Sequence, residues 1–271
     1  MATTPTARSK RAHASGSNSI SFMGGLIMQR KPFLPQFKME AWALGPNVIN
    51  KRSEFIAAIG KCLALWPFVE HQMTLLLGVL MKAENNATVA VFNALRTGRA
   101  QRDALNAAAV TTLDPPMLRL FEAVLSVLQS TSDDRAAVAH GHWGVLVNHA
   151  DKLLWVESKF HSPWNTLVLN KQDSGNPWVD SHEGLHPHLY VVTIPDIEQV
   201  YTDIDEMWKI LFDFLNLVRG QSVTGIFRKR GDELFQHLYL LPRIAAAIDR
   251  QHRRQNETLA RLQQRQSPPQ A

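Results

Sequence analysis

A chain of 271 residues, 45% of them hydrophobic, is long enough for one large core, and its single cysteine, Cys62, excludes an intramolecular disulfide framework and fits a reducing, cytoplasmic setting. No run reaches the roughly 18 uninterrupted apolar residues of a membrane span, and the nearest candidate, residues 56–81, is broken by Lys61, Pro67, Glu70, His71 and Gln72, so no membrane partner is expected. The net charge of +5 comes from the ends: residues 1–38 hold six Lys/Arg and no acid, residues 249–271 hold five arginines against Asp249 and Glu257, and the stretch between carries 18 basic against 22 acidic residues.

Residues 1–38 are rich in Ser, Thr, Gly and Ala without a sustained apolar period, which predicts a disordered basic tail outside the core. That tail has no apolar segment ending in a small-residue cleavage site, so no secretory signal is expected. Basic tails add non-specific attraction to RNA or DNA but do not supply a groove in the core. From Ser53 the pattern is helical: Phe55, Ile56, Ile59, Leu63, Trp66 and Val69 recur at spacings of three and four, with Pro67 expected to kink or divide the helix. Asn85 or Asn86 can cap a second helix through Leu95, and Thr97 or Gly98 opens a third through Val110. Asp114 followed by two prolines is a strong helix start, and Leu118, Phe121, Leu125 and Leu128 line one face of the helix it opens. The segment from Ser130 to Asp134 is expected to interrupt this helix, with Ser132 capping a short one through His140 and Gly141 supplying a left-handed stop.

Beyond Gly141 the period shortens. Residues 143–148 and 152–158, separated by His149, Ala150 and Asp151, predict a β-hairpin, and residues 166–170 and 188–194 two further strands. Helix returns at Pro195, whose stripe runs through Ile197, Val200, Ile204, Met207, Leu211 and Leu215. A last helix over about 232–254 is expected to bend near Pro242 and fade into a polar, partly helical basic tail at 249–271. The expected architecture is mainly α: one helical bundle over residues 39–248, with a small antiparallel β insertion at about 142–194.

Three groups of residues can carry chemistry. Trp66 and Glu70 lie one helical turn apart, and a carboxylate among apolar neighbours needs a partner, most simply an arginine. The histidines His140, His142, His149, His161, His182, His186 and His188 cluster in one third of the chain. On a strand His186 and His188 would share a face and could join His182 or Glu183 on a transition metal. A polar loop without CxxC or HExxH explains them more simply, so no metal or other cofactor is expected.

The sharpest signal is Arg135-Ala-Ala-Val-Ala-His140, followed by Gly141, His142 and Trp143. Five helical positions rotate side chains by about 140°, so Arg135 and His140 converge only if His140 sits at a frayed helix end. This string, set in a helical bundle, resembles the RNase motif of the HEPN superfamily, with Ala136 where that family commonly carries a polar residue. The resemblance implies a metal-independent endoribonuclease acting on RNA in a toxin or defence setting, working as a homodimer and answered by an antitoxin or other protein partner. Arg135 would hold the phosphate, His140 would move the proton, and His142 or a second His140 would serve as the other acid-base group. The alternative from a different class is a non-catalytic HEPN-like interaction or nucleic-acid-binding module.

Overall fold

In the computed structural model the described residues are 31–32, 42–45, 47–173, 185–220 and 231–266. They form a helical bundle with one antiparallel sheet. The helices are α1 (Ser53–Met81), α2 (Asn85–Ala94), α3 (Gly98–Thr112), α4 (Pro115–His140), α5 (Ser158–Asp173), α6 (Ile194–Arg219), α7 (Gly231–Leu240) and α8 (Pro242–Gln266). The strands are β1 (Lys31–Pro32), β2 (Trp42–Leu44), β3 (His142–Leu146), β4 (His149–Val156) and β5 (Leu189–Thr193), in the order β1-β5-β4-β3-β2.

The central helix is α1. Cys62, Trp66, Val69, Met73, Leu76, Leu77 and Leu80 are buried along it, against α6 on one side and α3 and α4 on another. Its length and composition alone would suffice for a membrane span, but here its apolar face is an ordinary protein core. Pro67 does not divide it: the residue is exposed, so its ring lies on the solvent side while the buried stripe runs on. Cys62 lies in that stripe with its Sγ 3.5 Å from the Ile197 carbonyl, and burial pushes its thiol up to about 11. It is a core side chain.

Three helix starts follow their chemistry. Thr97 and Asp114 accept from the amides of Ala100 (3.2 Å) and Met117 (2.9 Å), and Thr193 forms a capping box with Asp196 before α6. The break expected at residues 130–134 is absent, and α4 is continuous. Thr131 returns its hydroxyl to the Val127 carbonyl (3.0 Å) inside the helix, and its oxygen accepts from Arg243 Nη2 (2.8 Å) of α8, so the polar segment is absorbed by packing. The bend expected near Pro242 is a full break between α7 and α8.

The strands are not confined to 142–194. Lys31–Pro32, within the stretch expected to lie outside the fold, pairs with Val191 and Tyr190, and Trp42–Leu44 pairs with β3, closing both edges of the sheet. Short strands supplied from far away in the chain have too few residues to show a period. The β3–β4 hairpin is present, but its turn lies at Val147 and Asn148 and β4 begins at His149. The strand expected at 166–170 is instead part of α5. Phe160, Trp164 and Val168, four apart, are its inward positions, whereas the alternating Leu167 and Leu169 are exposed. The sheet is thus covered on both faces: Leu153, Trp155 and Val192 join the helical core, while Leu154, Val156 and Leu189 form a second small core with Phe160 and Trp164.

Candidate functional site

His140 is the last residue of α4, exposed, with its backbone carbonyl accepting from Ser158 Oγ at 2.5 Å. Gly141, expected to be left-handed, is extended (φ −72°, ψ 151°). Its need for glycine is steric: a Cβ there would sit 1.7 Å from Trp155 Nε1. The indole is buried and donates to the Ala137 carbonyl at 2.9 Å, which locks the end of α4 onto β4. This lock leaves an open cleft of about 420 Å³ between the end of α4 and the β4–α5 junction, lined by Asp133, Ala136, His140, Trp155, Ser158 and Lys159 among others. Lys159 is paired with Glu157 at 2.9 Å, and Asp133 accepts from Gln129 Nε2 at 2.6 Å. The cleft therefore offers a solvent-accessible imidazole, but the lysine on its rim is already partnered.

Arg135 points elsewhere. Its guanidinium lies 5.6 Å from the centroid of the Trp66 ring, and its Nε is buried with no hydrogen-bond partner among the described residues. Trp66 in turn donates to Glu70 Oε1 at 2.7 Å. The partner expected for Glu70 was an arginine of the motif; the observed one is this indole, and no Arg135–Glu70 ion pair exists among the described residues. Glu70, Trp66 and Arg135 still form a polarised chain, because the carboxylate enriches the ring that faces the cation. Arg135 does not line the cleft of His140, as the rotation of about 140° requires in a regular helix.

His142 joins neither. It points to the sheet face covered by α5, where it stacks on His161 with ring centroids 3.9 Å apart. Burial and the neighbouring His142 hold the His161 imidazole below its usual range. His161 continues to Trp164 at 5.7 Å, Trp164 to Trp42 at 6.4 Å, and Trp42 to His186 at 6.2 Å. His186 and His188 stand on a 3₁₀ turn rather than a strand, and His188 stacks on Phe160 at 3.6 Å. His182 and Glu183 lie outside the described residues. Among those described, no three His, Cys, Asp or Glu side chains are grouped to hold a metal ion. These histidines act as flat, partly polar rings packing α5 onto the sheet.

Sequence reasoning missed a second polar depression on the same helix. Between α3, α4 and α8 lies a groove of about 530 Å³ lined by Arg102, Asn106, Gln129, Arg250 and Arg254, together with Asp103 and Glu122. Its arginines come from segments some 150 residues apart, so no local pattern announces it. Compared with known proteins, the chain matches no family model, no curated protein and no solved structure.

Proposed function

We propose that this chain is a HEPN-like protein that cleaves RNA without a metal, with His140 as the proton-transfer group and Arg135 as the phosphate-binding group of a second copy. The observation that supports it best is the setting of His140. Of the two functional residues in the Arg135–His140 string, this is the exposed one on a cleft, held at a fixed helix end by the Ser158 and Trp155 hydrogen bonds. A neutral imidazole there takes the proton from a ribose 2′-hydroxyl as its oxygen attacks phosphorus; the 5′-oxygen leaves with a proton, and a 2′,3′-cyclic phosphate remains. Within one chain the cleft has no unpaired cation among the described residues. In the two-fold dimer of this reading Arg135 swings off the Trp66 ring to meet the other copy's His140, and two imidazoles share one site.

The test is RNA incubated with purified protein in EDTA, followed by analysis of the new ends. Cyclic-phosphate ends are expected, with His140→Ala lowering the rate by roughly 10²- to 10⁴-fold. Arg135→Lys impairs cleavage because an ammonium lacks the guanidinium fork. His140→Gln is expected to be as stable as the parent and inactive. Intact RNA at every protein concentration would sink the catalytic reading in favour of a non-catalytic interaction module. That second reading has its own support in the stack of Arg135 on Trp66, away from the cleft.

A further inference from the structure

The groove between α3, α4 and α8 shares a helix face with the His140 cleft. Glu122, Ser126 and Gln129 line the groove, Asp133, Ala136 and His140 line the cleft, and the six succeed one another at spacings of three and four along α4. They therefore form one stripe, and the Gln129–Asp133 hydrogen bond at 2.6 Å joins its two halves. From Ser126 to His140 the stripe is about 21 Å long at 1.5 Å per residue.

Three arginines line the groove. Arg102 of α3 and Arg250 of α8 are half-buried, Arg254 of α8 is exposed, and none makes a side-chain hydrogen bond or ion pair with the described residues. Of the two carboxylates that line the groove, Asp103 pairs at the surface with Arg99 at 3.7 Å, and Glu122 offsets part of the arginine charge, so that three arginines against two carboxylates leave the lining net positive. A net positive, partly desolvated lining attracts an anion. Guanidinium forks match phosphate oxygens two at a time. Asn106, Ser126 and Gln129 add both donors and acceptors, the complement of sugar hydroxyls. Among the described residues no aromatic ring lines the groove, so nothing there stacks bases.

We infer that the groove is the docking track for the phosphodiester backbone of single-stranded RNA, gripping a strand through Arg102, Arg250 and Arg254 and leading it along α4 to His140. This rests on the ribonuclease reading for what happens at His140, but not for binding itself. The recognition is independent of base sequence. The separation of about 21 Å corresponds to roughly six nucleotides of stacked strand at about 3.4 Å each, so a dinucleotide cannot reach both sites.

The experiment uses the full chain carrying His140→Ala, which binds without cutting, and a dye-labelled single-stranded RNA followed by fluorescence anisotropy between about 50 and 200 mM salt. Adding Arg102→Gln, Arg250→Gln and Arg254→Gln removes three phosphate contacts. The log–log salt slope then falls by about 2, so that the variant loses about 20-fold less affinity across that salt range, and its low-salt affinity drops about tenfold or more. Residues 1–38 and the remaining tail arginines Arg253, Arg261 and Arg265 are the same in both proteins and cancel. Should the triple variant melt early, Arg250→Gln with Arg254→Gln alone gives a smaller change of the same sign. In the otherwise unaltered chain the triple substitution lowers kcat/KM for long RNA and leaves a dinucleotide unaffected. An unchanged slope and affinity, or no binding at about 50 mM salt, overturns the groove. Cleavage that persists with an unchanged slope leaves the ribonuclease reading standing alone. Slope loss without any cleavage by the unaltered chain keeps the groove and removes the catalysis.

Discussion

Replacing Gly141 by alanine tests how the end of α4 is built. The new Cβ would fall 1.7 Å from Trp155 Nε1 and 2.5 Å from Cε2, distances that no rotamer relieves because the indole is fully buried. Either Trp155 moves, giving up its bond to the Ala137 carbonyl, or α4 and β3 separate. Overpacking costs about 1–3 kcal/mol and an unmade buried N–H about 1–3 more, so a loss of roughly 2–6 kcal/mol is expected. Urea unfolding followed by tryptophan fluorescence measures it. Asparagine at the same position separates this account from a left-handed helix stop. A left-handed stop tolerates Asn nearly as well as Gly, whereas a steric contact with Trp155 makes Asn at least as damaging as Ala. A loss under about 0.5 kcal/mol for alanine, or an asparagine variant more stable than the alanine one, would refute the packing argument. Since His140 precedes this residue, the alanine variant also shifts the proposed acid-base group.

Two other perturbations concern buried charge and a stacked histidine. Arg243 donates to the Asp203 carbonyl (3.2 Å), Glu206 (3.2 Å) and Thr131 (2.8 Å), and lies 3.6 Å from the Asp203 carboxylate, whose side chain is only 5% exposed. Arg243→Ala leaves that carboxylate with Gln199 as its remaining donor, and a loss of about 3–5 kcal/mol is expected in the same unfolding assay; a loss below about 1 kcal/mol would show that the network is not holding α8 to α4 and α6. The stacked pair of His142 and His161 predicts a pH dependence. Because the folded His161 is held below the usual 6.5, the unfolded chain binds more protons just below that pH, so stability falls as pH drops through 6.5 toward the folded value and levels off beneath it. His161→Phe keeps a ring on His142 and removes the proton. Melting temperature plotted against pH should flatten in that window, and an undiminished slope would place the titration on another group.

The elements legible in the sequence were those whose signal is local. Helix starts at Thr97 and Asp114 need only a side chain and an amide three residues on, and the stripe from Ile197 to Leu215 is read from spacing within one helix. The β3–β4 hairpin, adjacent in the chain, was legible too. What failed was decided by distant partners. Residues 166–170 alternate like a strand, but the hydrophobic face available to them is the sheet met by Phe160 and Trp164, and a helix buries those two together. The polar run at 130–134 stays helical because Arg243, more than a hundred residues away, satisfies Thr131. Gly141 is a glycine for the sake of Trp155, not for its own dihedral angles. The site divides the same way. The sequence by itself put His140 at a helix end and left its convergence with Arg135 to fraying there; α4 is regular to its last residue, and 3.6 residues per turn keep the two side chains about 140° apart. Only the tertiary structure decided that the far side of α4 is Trp66, that His142 stacks on His161, and that three arginines from two other helices line a groove on the His140 face, because side-chain neighbours across helices are set by packing rather than by order along the chain.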